Sequence, residues 1–165
     1  MISIVAAYAR DRVIGYAHAI PWDKTQQGDI QRFRELTYGK TIILGQRTFD
    51  ELPSPLEGRK HIVITHHLKQ SQQNVEYLNY DQAVQFIADT KDELYGIGGQ
   101  QIYELFMPFA QKAYLTEING DYKGDTFFPE LTKDQWQLES KKCFVANTYN
   151  KHDYCFLDYR RKKIT

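Results

Sequence analysis

The 165-residue sequence has few cysteines, no net charge and no long apolar run, and each deficit excludes a class of protein. Its two cysteines, Cys143 and Cys155, do not suffice for a disulfide framework or a metal centre, so we expect thiols in a reducing cytoplasm. The 21 basic and 21 acidic residues cancel, which leaves no field to draw the chain to nucleic acid or an anionic membrane. No segment approaches membrane-spanning length, and residues 1–8 lack the basic lead-in of a signal peptide. We therefore expect a cytoplasmic protein with no nucleic-acid or membrane partner.

What the sequence does contain is material for a packed core. Hydrophobic residues make up 42% of the chain and aromatic residues 14%, which indicates a globular protein rather than a disordered one. A chain of this length usually forms one domain and buries roughly two thirds of its unfolded surface. We therefore expect residues 1–165 to form a single domain.

Apolar runs and helical periodicities alternate along the chain. Short apolar or alternating runs predict strands at residues 2–9, 40–44, 61–65, 75–78, 94–97, 113–118, 136–145 and 154–159. Apolar spacings of three and four residues predict helices at 29–36, 46–52, 81–88 and 100–106. A glycine or proline ends three of them, at Gly39, Pro53 and Pro108. This order indicates an α/β fold with a mostly parallel central sheet, antiparallel additions at its end and helices on both faces. The connection 10–27 has a length typical of a functional loop.

Two of the predicted strand-to-helix turns contain glycine. One carries Gly98 and Gly99, and the other carries Gly45 followed by Arg47 and Thr48. Glycine lets a phosphate approach the backbone, and a helix start offers free N–H groups. Since parallel strands end at one edge of a sheet, the two turns together suggest a dinucleotide site. Each turn alone is as well explained by a tight connection or by Thr48 capping its helix.

The segment Thr65-His66-His67 follows the third predicted strand of the sheet. His66 could meet a phosphate at the same sheet edge. A metal site is not expected, because no further ligand lies at a useful spacing, and a surface histidine is the plainer alternative.

Two acids near Trp22 are candidates for chemistry. Asp23 lies in the long loop beside Lys24 and reads as a solvated acid. Asp29 opens a predicted helix, with Phe33 one turn later on the same face. From spacing alone, Asp29 either points into a pocket or lies in solvent and stabilises the helix through an interaction with the helix dipole.

Seven motifs, in order and over nearly the whole chain, resemble the dihydrofolate reductase family. They are Val13-Ile14-Gly15, Ile20-Pro21-Trp22, Asp29 with Phe33, Leu44-Gly45-x-x-Thr48-Phe49, Pro55-Leu56-x-Gly58-Arg59, Ile97-Gly98-Gly99 with Tyr103, and Gly124-Asp125-Thr126-Phe127-Phe128-Pro129. The resemblance implies a sheet of about eight strands with an antiparallel C-terminal strand. It also implies a cytoplasmic monomer that binds NADPH, dihydrofolate and antifolate inhibitors.

The implied reaction is reduction of 7,8-dihydrofolate to 5,6,7,8-tetrahydrofolate, which supports one-carbon metabolism and the synthesis of thymidylate, purines and amino acids. Hydride passes from nicotinamide C4 to pterin C6, and N5 gains a proton. The resemblance also implies a cis peptide bond between Gly98 and Gly99.

The resemblance implies four residues at the reaction centre: Asp29 binds the pterin, Thr116 is its hydroxyl partner, Trp22 orients a water, and Tyr103 lies beside the hydride path. The implied substrate site consists of Val5, Ala6, Ala7, Ile20, Asp29, Phe33, Leu52, Leu56, Arg59, Ile97 and Thr116. The implied cofactor site consists of Ala7, Ile14, Gly15, Ala19, Ile20, Gly45, Gln46, Arg47, Thr48, Thr65, His66, Ile97, Gly98, Gly99, Gln100, Gln101, Ile102, Tyr103 and Thr126. No metal is implied. Without the resemblance, Arg59 reads as a surface charge and Tyr103 as a core tyrosine.

Two departures from the family pattern affect these expectations. Asp29 lies seven residues after Trp22, so the loop before it carries a two-residue insertion, and its motion is expected to differ. Gln46 replaces an arginine that many relatives place near the cofactor 2′-phosphate, and Gln101 adds no charge. Preference for NADPH over NADH is then expected to depend on Arg47, Thr65 and His66.

Two other functions fit part of the pattern. A reductase of the same sheet topology that acts on a pyrimidine-like riboflavin precursor would keep the cofactor motifs but not Asp29, Phe33 and Arg59. A non-catalytic nucleotide-binding or folate-carrying module would keep the pocket but show no turnover.

Overall fold

Ten strands and four helices succeed one another in the computed structural model, which describes residues 1–163. The strands are β1 (Ile2–Tyr8), β2 (Val13–Gly15), β3 (Thr41–Gly45), β4 (Lys60–Ile64), β5 (Val75–Leu78), β6 (Leu94–Gly96), β7 (Lys112–Ile118), β8 (Thr126–Phe127), β9 (Trp136–Phe144) and β10 (Tyr154–Arg161). The helices are α1 (Gln27–Thr37), α2 (Gln46–Asp50), α3 (Tyr80–Asp89) and α4 (Gln100–Phe106).

Eight of the strands form one sheet in the order β5-β4-β3-β6-β1-β7-β10-β9, and β2 pairs with β8 in a separate ribbon. The strands from β5 to β7 run parallel, and β10 pairs antiparallel with both β7 and β9. This confirms the predicted α/β sheet with its antiparallel C-terminal strand. The N-terminal strand lies at the centre, since Ile4 pairs with Gly96 on one side and Ala113 on the other.

Helices cover both faces of the sheet, because alternate residues of its strands enter two separate clusters. Ile43 of β3 packs with α3 and α4 on one face, whereas its neighbours Ile42 and Leu44 pack with α1 and α2 on the other. Parallel strands buried on both faces read as continuous apolar runs, which is why these strands were readable from the sequence. None of the four helices in residues 1–163 is both long and apolar enough to cross a membrane.

Two expectations about the C-terminal strands were wrong. The predicted alternation of residues 136–145 does not occur, because β9 is an edge strand that is exposed along most of its length and buries Trp136 at its start. Cys143 and Cys155 are not thiols but form a disulfide between paired residues of β9 and β10, whose Cα atoms lie 4.0 Å apart. Cysteines opposite one another on antiparallel strands come within bonding distance although they are 12 residues apart in sequence.

Candidate active site

Asp29 lies in the first turn of α1, where the chain leaves the long loop and packs against the sheet. The residue is half-buried. Removal of the carboxyl from water raises its pKa, while a side-chain hydrogen bond with Thr116 of β7 and the charge of Arg32 oppose that rise. A desolvated carboxyl with a raised pKa can take up a proton closer to neutral pH than an acid in solvent can.

Apolar side chains from several elements line the sheet face beside Asp29. Phe33 of α1, Leu52 and Leu56 after α2, and Ile97 after β6 all pack on the cluster that contains Val5. His61 fixes the position of Leu56, because its Nε2 accepts a hydrogen bond from the Leu56 N–H at 2.9 Å. These predicted substrate residues therefore form one wall, with the acid at its end.

Arg59 is held rigidly at the far end of this wall. The residue is 8% exposed. Its Nε donates to the Thr37 hydroxyl at 3.1 Å, and its two terminal nitrogens donate to the carbonyls of Glu57 at 2.5 Å and Arg34 at 3.1 Å. A guanidinium has five N–H groups, so within residues 1–163 one N–H on each terminal nitrogen has no hydrogen-bond partner. That pair is a planar fork suited to a carboxylate.

Tyr103 projects from α4 beneath the ends of β1 and β6. Its hydroxyl lies 3.0 Å from the Val5 carbonyl and 2.9 Å from the Ile97 carbonyl, and it can donate to only one at a time. Burial, followed by the nearby charge of Asp29, raises the pKa of this hydroxyl, so it stays protonated in the physiological range. Three of the residues predicted for the reaction centre, Asp29, Thr116 and Tyr103, are therefore close enough to influence one another.

The two glycine-bearing turns meet at one sheet edge, as their pattern predicted. The Gly45 N–H donates to the Gly98 carbonyl at 3.0 Å. The bond from Gly98 to Gly99 is cis, and Gly98 has a φ of 120° that other residues rarely adopt. A Cβ built on Gly99 would lie 3.8 Å from the Thr48 hydroxyl. The starts of α2 and α4 are thus adjacent.

Several polar groups surround this edge. Gln46 Oε1 is buried and has no hydrogen-bond partner within residues 1–163. Arg47 is exposed and lies 2.8 Å from His18 Nδ1. Thr65 is buried with its hydroxyl bonded to the His67 backbone, while His66 is exposed. No set of residues in the described part of the chain is arranged to bind a metal ion.

The loop before α1 is folded back and anchored by Asp125. A two-residue turn at Ala17 and His18 has positive φ at both positions, 50° and 65°. Asp125 accepts a hydrogen bond from the Ala17 N–H at 2.9 Å and donates its own N–H to the Gly15 carbonyl at 2.9 Å. A side chain at Gly15 would collide with the Thr126 hydroxyl, since its Cβ would lie 2.5 Å away.

The remaining predicted residues divide by location. Ile20 is at the exposed rim of the loop, whereas Trp22 is 4% exposed and packs with Ile118 and Tyr154. The side chain of Ala6 belongs to the cluster on the opposite face from Phe33, so only its backbone faces the wall. The other predicted cofactor residues lie on several elements. Ala7 is on β1 and Ile14 on β2, and Ala19 bridges Tyr16 in the loop after β2. Gln100, Gln101 and Ile102 begin α4, where Ile102 is buried in the core.

The inserted segment is attached to the connection between β9 and β10. Gln26 is fully buried, and its side-chain amide bonds both backbone groups of His152, donating at 3.2 Å and accepting at 2.6 Å. The side-chain oxygen of Asn150 accepts from the Gly28 N–H at 2.8 Å. The side chain of Gln26, the residue just before α1, does not cap the helix. The cap is instead provided by Asn150, which is more than 120 residues away in sequence.

Sequence reasoning missed Gln26, Asn150, Asp125 and Arg32 as contributors to this site. Asp125 lies within the motif from Gly124 to Pro129 and could have been found there. Gln26 and Asn150 gave no local signal, because their partners lie on distant parts of the chain.

Several known proteins are similar to this chain over nearly its whole length. A family model described as "Dihydrofolate reductase" matches residues 1–161. The "Dihydrofolate reductase" of Haemophilus influenzae is 34% identical over 160 residues, which cover 97% of this chain and 98% of that protein. The Bacillus subtilis protein of the same name is 33% identical over 162 residues, 98% of this chain and 95% of that protein. A solved structure, "Dihydrofolate reductase from Enterococcus faecalis complexed with NADP(H)and RAB-propyl", has a TM-score of 0.86 and 27% identity, covering 99% of this chain and 97% of that one.

Proposed function

The chain belongs to the dihydrofolate reductase family and catalyses the NADPH-dependent reduction of dihydrofolate to tetrahydrofolate, and we propose that Asp29 is the residue that holds the pterin in this reaction. The observation that carries the assignment is its desolvated carboxyl, in contact with the Thr116 hydroxyl at the end of an apolar wall. A carboxylate offers two acceptor oxygens, which match the paired N–H groups at the edge of the pterin.

The same carboxyl couples substrate binding to proton uptake. Because burial raises the pKa of Asp29, a proton shared between the acid and the bound heterocycle is available closer to neutral pH. Asp29 orients and polarises the ring, and N5 receives its proton from water. Trp22, fixed in a buried cluster with Tyr154, is the residue that orients this water.

Arg59 binds the glutamate α-carboxylate of the substrate. Its bonds to Thr37, Glu57 and Arg34 leave a two-pronged donor, and the apolar wall of Phe33, Leu52 and Leu56 supports the aromatic part of the substrate between the two polar ends.

The residues at the glycine-bearing edge fit the NADPH phosphates and adenosine. Glycine at Gly45 and at Gly98-Gly99 leaves the backbone open to a phosphate. The Gln46 side-chain oxygen, which has no partner within residues 1–163, can accept a hydrogen bond from the adenosine. When bound, NADPH supplies the hydride from nicotinamide C4. Ile14, Ala19 and Ile20 cover the nicotinamide side, and Tyr103 contributes its ring beside the path to pterin C6.

Selection of NADPH over NADH rests on Arg47, Thr65 and His66. Arg47 supplies the fixed positive charge, since Gln46 and Gln101 supply none. It acts as a phosphate ligand if it leaves His18, from which it lies 2.8 Å. We also propose that the enzyme acts as a cytoplasmic monomer and that the chain forms one domain, since a single sheet joins β1 with β10.

The decisive experiment compares Asp29→Asn with Asp23→Asn in an NADPH absorbance assay at pH 7. We expect Asp29→Asn to lower kcat/KM for dihydrofolate by about 100-fold or more while NADPH affinity changes less than about twofold. Asp23 is exposed and lies in the preceding loop, so its variant serves as the charge-matched control and should retain activity. Unchanged turnover in Asp29→Asn, or an equal loss in both variants, would show that the acid was wrongly assigned.

A further inference from the structure

Arg32 lies one helical turn after Asp29 on α1, and residues three apart share a helix face. Its side chain is largely enclosed, with 15% of its surface exposed. The guanidinium lies 4.3 Å from the centre of the Phe156 ring and forms an ion pair with Asp158, both on β10. The position of the positive charge is therefore fixed by two residues of one strand.

This arrangement places the guanidinium at the level of the reaction centre. Phe156 pairs across the sheet with Thr116, whose side chain hydrogen-bonds Asp29. The Asp158 carboxyl is more exposed than Arg32 and bonds one terminal nitrogen, and the charge of Arg32 still acts on Asp29 by lowering its pKa. The other terminal nitrogen is buried and has no hydrogen-bond partner among residues 1–163.

The other groups that act on Asp29 carry no fixed charge. Thr116 faces it from β7, Tyr103 from α4 and Tyr154 from β10. Burial raises the pKa of both tyrosines, and the charge of Asp29 raises it further, so both stay neutral in the pH range of the reaction. In the described surroundings of Asp29, the fixed charges are thus those of Arg32 and its partner Asp158, and Arg32 is the one that acts on the acid.

We propose that Arg32 is a positioning residue for the reduction, an inference that rests on the proposed role of Asp29. The positive charge of Arg32, held in place by Phe156 and Asp158, sets the upper pH limit of catalysis. The charge favours the ionised carboxylate over the neutral acid. Its removal favours protonation of Asp29, or of a substrate nitrogen bound there, and both effects have the same sign. Loss of the charge therefore moves the limit to higher pH.

The test measures hydride transfer in single turnovers from pH 5 to 9, with NADPH deuterated at the transferred position to identify the chemical step. For Arg32→Gln we expect the midpoint of the rate profile to rise by about 0.5–1.5 pH units. For Asp158→Asn, which removes the opposing anion, we expect a fall of about half that size. Arg32→Lys keeps the charge and should restore the midpoint to within about 0.3 units.

The opposite signs distinguish electrostatics from lost packing, because a merely structural role would lower the rate in both variants without moving their midpoints apart. The proposal is overturned if the midpoints of Arg32→Gln and Asp158→Asn agree within about 0.2 pH units, or if both midpoints move in the same direction from that of the wild type. If Arg32→Gln does not fold, the direction of the Asp158→Asn shift decides alone: a fall supports the role, and no change or a rise refutes it. A wild-type enzyme that fails to oxidise NADPH with dihydrofolate would instead refute the proposed function.

Discussion

The cap that Asn150 provides to α1 yields a prediction about both stability and catalysis. Asn150→Ala removes the acceptor 2.8 Å from the Gly28 N–H, and Asn150 itself is only 5% exposed. Loss of a helix cap costs about 0.5–2 kcal/mol, and an unpaired, partly buried N–H costs about 1–3 kcal/mol. These two figures describe the same lost bond. The substitution also removes the hydrogen bond that the Asn150 amide donates to Asn147 Oδ1 at 3.1 Å, so we expect a total of about 1–3 kcal/mol. In a chain of this length, that lowers Tm by about 3–9 °C.

The catalytic part of the prediction follows from the position of Gly28 next to Asp29. If the first turn of α1 loosens, the acid is displaced, and small displacements of catalytic groups are costly. We expect kcat/KM for dihydrofolate to fall about tenfold, with NADPH affinity unchanged because α2 and α4 are not touched. Urea unfolding followed by tryptophan fluorescence gives the stability, and NADPH absorbance gives the rate.

A cap elsewhere in the chain provides the matched control. Asn79 caps α3 through the Gln82 N–H in a reciprocal capping box, and α3 carries none of the proposed site residues. Asn79→Ala should cost a similar free energy but leave the kinetics unchanged. Asn150→Asp keeps an acceptor at the helix start and should retain most of the stability. The reasoning fails if Asn150→Ala loses less than about 0.5 kcal/mol, or if both alanine variants have the same kcat/KM.

Two further changes test other parts of the molecule. The lysine of Arg59→Lys cannot reproduce the three directed hydrogen bonds of Arg59 and also offer two N–H groups to a carboxylate. The Kd for dihydrofolate should therefore rise about tenfold or more, while the Kd for NADPH stays the same. Fluorescence titration measures both constants, and equal losses would contradict the carboxylate role. Reduction of the disulfide between Cys143 and Cys155 opens a 12-residue span and should lower the free energy of unfolding by about 3 kcal/mol. Urea unfolding curves with and without reductant give the difference, and Cys143→Ser serves as a control that reductant does not affect. Identical wild-type curves would rule the prediction out.

The parts of the fold that were predictable from the sequence are those with a local cause. The strands Thr41–Gly45 and Lys60–Ile64 are buried on both faces and so read as apolar runs. In contrast, β2 and β8 have three and two residues, too few for any periodicity to appear. Glycine at the two turns and the position of Asp29 at a helix start also have local causes, and both were visible.

What could not be predicted depends on contacts between distant segments. The disulfide requires the register of β9 against β10, and the buried state of Gln26 requires a connection that is more than 120 residues away. Arg32 carries no local signal either, because its partners Phe156 and Asp158 lie on β10. In each case the residue type carries no information about the partner, so only the assembled sheet reveals the role.

The central position of β1 has a consequence for the order in which the protein is made. Ile2 pairs with Leu94 of β6, and its strand also pairs with β7 beyond residue 112. Ribosomes add about 5–20 residues per second, so this apolar strand waits for about 5–20 seconds without either neighbour. During that interval β1 is an apolar segment whose partner strands have not yet been synthesised. We therefore expect a chaperone that binds residues 2–8 to assist the folding of this enzyme.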